Sequence, residues 1–169
     1  MRYFTPELHV RLQAADPDRM DAADGDWELA LANYQGRLKA IRSKLPPSAR
    51  AFLDDTRLHD AEVLWMGQAL PFFGVLLRLD PPSTATLGLS YFVTRDVRFQ
   101  RQVVPSEFCG SRVQWMYDEI DLGEHDGCFR HSVLFSDGSQ LDLEARELHV
   151  ATLDTVYARE GEALVAGRQ

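Results

Sequence analysis

Apolar and polar positions alternate most cleanly between Phe129 and Ala145, where Phe129, His131, Val133 and Phe135 share one strand face and Leu141, Leu143 and Ala145 share another. The pattern predicts a β-hairpin, and face parity selects its loop. A two-residue Asp137-Gly138 turn would set Val133 opposite Asp142 and Phe135 opposite Gln140. That mixes apolar with polar, because directly opposed residues lie on the same side of a sheet. A three-residue loop, Ser136-Asp137-Gly138 with Gly138 at positive φ as a G1 bulge, instead pairs Val133 with Leu141 and His131 with Leu143.

Period-two patterning begins at His59, in Ala61, Val63 and Trp65, and continues in Phe73, Val75, Leu77 and Leu79, then Leu87, Leu89, Tyr91 and Val93. Val97–Val104 and Val113–Leu122 add two further strands. The links are short, which favours antiparallel neighbours, since parallel pairing needs long crossovers. Apolar parity shifts twice, between Trp115/Tyr117 and Ile120/Leu122 and again between Leu143/Ala145 and Leu148/Val150. The shifts predict bulges near Asp118 and near Arg146.

Before His59 the period is helical. Thr5-Pro6-Glu7 reads as an N-cap, a first-turn proline and a first-turn acid, opening a helix from Pro6 to about Gln13. The aspartate-rich stretch Asp16–Asp26 reads as a connection, after which Asp26 caps a helix carrying Trp27, Leu31, Tyr34, Leu38 and Ile41 at spacings of three and four. Pro46-Pro47 ends it, Ser48 to about Asp55 forms another short helix, and the tail from Asp154 suggests a last one. The expected architecture is α+β in one domain over 1–169: a helical layer over about 5–56 packed on one antiparallel, curled sheet of about seven strands over about 59–152.

Composition narrows the function classes. The longest strongly apolar run, Ala69–Leu77, contains Pro71 and Gly74 and falls far short of the roughly 20 residues that cross a bilayer. Charged residues from Glu7 onward leave no secretory h-region, so a cytoplasmic location is expected. Cys109 and Cys128 lack a C-x-x-C spacing and read as free structural thiols. The charge of −8 is concentrated between Val113 and Glu147, where nine acids face only Arg130 and Arg146. Such a field disfavours nucleic acid and anionic membrane; it reads first as a solvated, solubilising sheet face and otherwise favours a basic protein partner or a cation.

The opening Met1-Arg2-Tyr3-Phe4-Thr5, the Leu58-His59-Asp60-Ala61 step and the Leu134-Phe135-Ser136-Asp137-Gly138 turn together resemble a family of uncharacterised bacterial proteins of similar length. The resemblance implies a bacterial protein and brings no catalytic residues with it.

No phosphate loop, H-E-x-x-H, G-x-S-x-G or paired C-x-x-C occurs in the sequence. The leading expectation is therefore a non-enzymatic binding protein, for example of immunity type, that meets a basic protein through Asp118, Glu119, Asp121, Asp142 and Glu144. A first alternative is a metal-dependent hydrolase. It would hold a divalent ion such as zinc or manganese on His59, Asp60 and His131, whereas the leading expectation involves no cofactor. Strand alternation sends Asp118 and Glu119 to opposite faces, so at most one of them joins His131. A second alternative is a curled sheet whose Trp27, Trp65, Trp115 and Tyr117 line a small-ligand pocket. Arg95, Arg98, Arg101 and Arg112 read as a polar strand face.

Overall fold

Three helices precede seven strands, α1 (Pro6–Leu12), α2 (Pro17–Ile41), α3 (Pro47–Asp55), β1 (Ala61–Ala69), β2 (Phe72–Arg78), β3 (Thr86–Val93), β4 (Arg98–Gln100), β5 (Gln114–Leu122), β6 (Phe129–Phe135) and β7 (Gln140–Leu153). The computed structural model describes residues 1–79, 85–101 and 112–153. All pairings are antiparallel, in the order β3-β2-β1-β5-β6-β7-β4. A further β3–β7 pairing closes six of the strands into a barrel. The expected α+β arrangement of N-terminal helices on a curled seven-stranded antiparallel sheet is thus the observed one.

The hairpin has the register that parity requires. Val133 pairs with Leu141 and His131 with Leu143. Gly138 has φ +78°, and its N–H donates to the Phe135 carbonyl (2.9 Å) while the Phe135 N–H donates to Ser139 (2.9 Å). Asp137 Oδ1 fixes the turn by accepting from the Ser139 N–H (2.9 Å).

Bulges let the barrel curl. The β7 irregularity falls at Arg146, between Phe92↔Glu147 and Val93↔Ala145, so one strand pairs with β6 along its first half and with β3 along its second. The β5 bulge lies at Met116, two residues before the expected Asp118, since Trp115 faces Phe135 and Tyr117 faces Leu134. A further one at Leu64, between Val63↔Leu77 and Trp65↔Leu76, left no parity signal because Leu64 and its neighbours are all apolar. Phe129, Phe135, Leu89, Tyr91, Trp115, Ile120 and His131 fill the interior, each under 2% exposed or nearly so. From α3, Phe52 packs against His131 in a T-shaped contact (5.2 Å between centroids).

One helix differs from expectation. α2 begins at Pro17 and not at Asp26. Asp16 is its N-cap, accepting from the Asp18 N–H (3.1 Å), and Pro17 occupies the first turn. The aspartates lie on a helix that is almost wholly solvated there, buried only at Ala23, and without an apolar stripe the periodicity test has nothing to detect. The expected fourth strand is observed only as Arg98–Gln100; its remainder from 102, Cys109 and the expected C-terminal helix lie outside the described residues. Among the described residues no helix is long and apolar enough to cross a membrane.

Candidate ligand cleft

β1 and β5 meet only through Ala61↔Trp115 and Glu62↔Gln114. Past that point β5 continues as Tyr117–Leu122 with β6 on one side, while the side that β1 has left is met by α2. The Ile120 N–H donates there to the Tyr34 hydroxyl (2.6 Å), which satisfies a buried amide that would otherwise lack a partner. Burial, together with the nearby carboxylates of Asp118, Glu119 and Asp121, pushes the Tyr34 hydroxyl pKa up, so it stays protonated.

Alternation along β5 gives its acids separate tasks. Glu119 faces the helices and accepts three consecutive backbone N–H groups, from Arg2 (2.8 Å), Tyr3 (2.7 Å) and Phe4 (2.7 Å). Asp121 holds Arg37 of α2 through a forked contact (2.6 and 3.1 Å). Asp118 turns to the barrel, where Oδ1 accepts from Trp115 Nε1–H (3.1 Å) and Oδ2 meets His131 Nε2 (3.1 Å). The other His131 nitrogen, Nδ1, meets the Tyr91 hydroxyl (3.1 Å). Of the two neighbouring acids it is therefore Asp118 that joins His131.

The remaining acids of the expected partner face are also engaged within the chain. Asp142 accepts from Arg130 (2.9 Å) and from the Ser132 hydroxyl. Burial alone would raise its pKa, but these bonds outweigh it and hold the carboxyl below its usual range. Glu144 is fully buried. It binds the Glu124 N–H (2.9 Å), His125 Nδ1 (2.6 Å) and Thr94 (3.2 Å), with Arg95 at 3.4 Å. Burial again opposes ionisation, and the hydrogen bonds and Arg95 together hold the pKa down. With Glu119 and Glu144 under 10% exposed, the five acids do not make the open acidic face that charge density along the sequence suggests: Glu119, Asp121 and Glu144 tie the sheet to the N-terminal segment, α2 and a loop, and Asp118 and Asp142 bond within the sheet.

The metal set fares similarly. His59 and Asp60 pair with each other (2.8 Å) on the surface, whereas His131 is fully buried with both ring nitrogens engaged. Among the described residues no group of three His, Cys, Asp or Glu side chains could hold a metal ion. Asp60 has φ +66°, a region that aspartate tolerates better than most residues, and its N–H donates to the Trp115 carbonyl (2.9 Å). The His59-Asp60 step turns the chain into β1. Cys128 is a buried free thiol, and nearby His125 is committed to Glu144.

The four aromatics expected at a pocket separate into three environments. Trp115 belongs to the filled interior. Trp65, 53% exposed, lies outside the barrel across Gly67 and Gly74, where a Cβ would come within 2.3 and 2.9 Å of its ring. Trp27 and Tyr117 share a cavity, with ring centroids 4.5 Å apart. It is a cleft of about 720 Å³ beneath α1 and α2, at the end of the β1–β5 seam. Phe4, Leu12, Leu31, Tyr34, Leu58 and Met116 supply apolar lining, while Asp24, Thr56, Arg57, His59 and Asp118 add polar groups. Burial, then the Asp60 charge, pushes the Tyr117 hydroxyl pKa up. His9, against the Tyr117 ring (5.7 Å), is shifted down by burial and by His59.

The arginines are likewise dispersed. Arg95 pairs with Glu124 (2.9 Å) and Arg112 with Glu62 (3.3 Å), while Arg98 and Arg101 are exposed. Sequence reasoning found Trp27 and Tyr117 but missed Phe4, Tyr34 and the role of Glu119. Backbone donors carry no residue signature, so the Glu119 contacts left none; Tyr34 already lay on the apolar stripe of α2. No protein-family model matches the chain, and no curated protein matches it.

Proposed function

We propose that this is a binding protein for a small, largely apolar ligand, taken up in the Trp27–Tyr117 cleft. The observation that carries the reading is a concavity of about 720 Å³ with aromatic and aliphatic walls and a few polar groups, the usual make-up and size of a small-molecule site. Two further features support it. The barrel interior is filled, so the cleft between layers is the roomier site, and the acids that could have served a basic partner are largely spent on internal contacts.

A cleft-filling variant tests the reading. Leu31 is half-buried on the helical wall, and Leu31→Trp places an indole in the space a ligand would use. Saturation-transfer NMR with a library of apolar and aromatic fragments should give hits on the wild type that disappear in Leu31→Trp, with circular dichroism unchanged. Hits that persist in the folded variant, or no hits on the wild type, would count against the cleft.

A further inference from the structure

An apolar cleft does not by itself explain the carboxylate on its barrel side. Asp118 lines the cleft with its side chain 24% exposed. Its two donors are the Trp115 indole (3.1 Å) and the His131 imidazole (3.1 Å). The other His131 nitrogen, Nδ1, meets the Tyr91 hydroxyl, so Nε2 is free to donate its proton to Asp118. Among the described residues no arginine or lysine pairs with Asp118. Arg57 and His59 also line the cleft, but Arg57 is exposed and His59 is paired with Asp60.

We infer that the ligand carries an organic ammonium group that pairs with Asp118 while its apolar body lies against Trp27 and Tyr117; this rests on the proposal that the cleft binds a ligand. The Trp115 and His131 donors orient the carboxylate, and each oxygen keeps a lone pair for a further donor. A partly desolvated carboxylate that no arginine or lysine among the described residues pairs with favours a positively charged ligand. The neighbouring aromatic rings favour the same sign, since a ring face attracts a cation. An apolar anion would meet Asp118 as a like charge.

Calorimetric titration of the full chain with phenethylamine, phenethyl alcohol and hydrocinnamate separates these alternatives, because the three share an aromatic body and differ mainly in charge. The amine should bind about tenfold or more tightly than the alcohol, with the carboxylate weakest. Asp118→Asn should abolish the preference, so that amine and alcohol bind within about twofold of each other. Equal binding of amine and alcohol to the wild type would overturn the ammonium inference and leave the cleft standing. Binding of none of the three would also overturn it, and the Leu31→Trp comparison would then decide separately whether the cleft takes any ligand.

Discussion

Replacing Glu119 by glutamine tests how the N-terminal segment is attached. In the native protein one carboxylate oxygen accepts the Tyr3 and Phe4 N–H groups (2.7 Å each) and the other accepts the Arg2 N–H (2.8 Å). A glutamine oxygen can keep the first pair, but the amide NH₂ then confronts the Arg2 N–H, donor against donor. One bond to a charged acceptor is lost, at about 1.5–3 kcal/mol, and two others become neutral and weaker, so Glu119→Gln should cost about 3 kcal/mol. Against a total stability of roughly 5–15 kcal/mol that is a large fraction. Glu119→Ala, which strands all three donors, should cost more. Urea melts followed by circular dichroism measure the loss, and amide exchange at Tyr3 and Phe4 shows whether the segment has come away. Because Phe4 lines the cleft, fragment binding should weaken as well. Stability within about 0.5 kcal/mol of wild type, the range of an ordinary surface substitution, with Tyr3 and Phe4 still protected, would refute the reasoning.

Two other perturbations address separate parts of the molecule. Gly138 holds φ +78° in a buried turn, so Gly138→Val should destabilise by about 1–3 kcal/mol and Gly138→Asn by less, as read from urea midpoints. Glu144 has its pKa held below the ordinary 4.5 in the folded state. Its contribution to stability is therefore complete above pH 4.5 and is lost as pH falls through the lowered value. A series of urea midpoints below pH 4.5 should decline in the wild type and decline less steeply in Glu144→Gln, where Asp142 alone of this pair still contributes.

Wherever a strand buries one face, its letters determine both its type and its register. The Phe129–Ala145 hairpin was legible to the residue because a one-residue slip would have turned Gln140 and Asp142 inward. Parity shifts likewise exposed the bulge at Arg146 and, within two residues, the one at Met116. The start of α2 was illegible for the opposite reason: its first turns bury almost nothing. Charge misled in a specific way. Nine acids in one stretch look like a surface field, but whether a carboxylate meets solvent or a backbone N–H depends on partners far away in sequence, such as Phe4 for Glu119 and Arg37 for Asp121. The cleft was half legible, since Trp27 and Tyr117 stood out as aromatics, yet Trp65 and Trp115 stood out equally and lie elsewhere.

That separation of the tryptophans provides the most direct measurement. The chain has three: Trp27 in the cleft, Trp65 on the outer barrel surface and Trp115 in the filled interior. Fluorotryptophan labelling gives each a ¹⁹F resonance, assigned by substituting one tryptophan at a time. On titration with phenethylamine, or with any cleft-dependent fragment, the Trp27 resonance should move most, that of Trp115, whose indole N–H donates to Asp118, less, and that of Trp65 should stay nearly still. Movement of Trp115 with Trp27 unchanged would place the ligand inside the barrel, movement of Trp65 alone would place it on the outer sheet face, and either result would contradict a binding site beneath the helices.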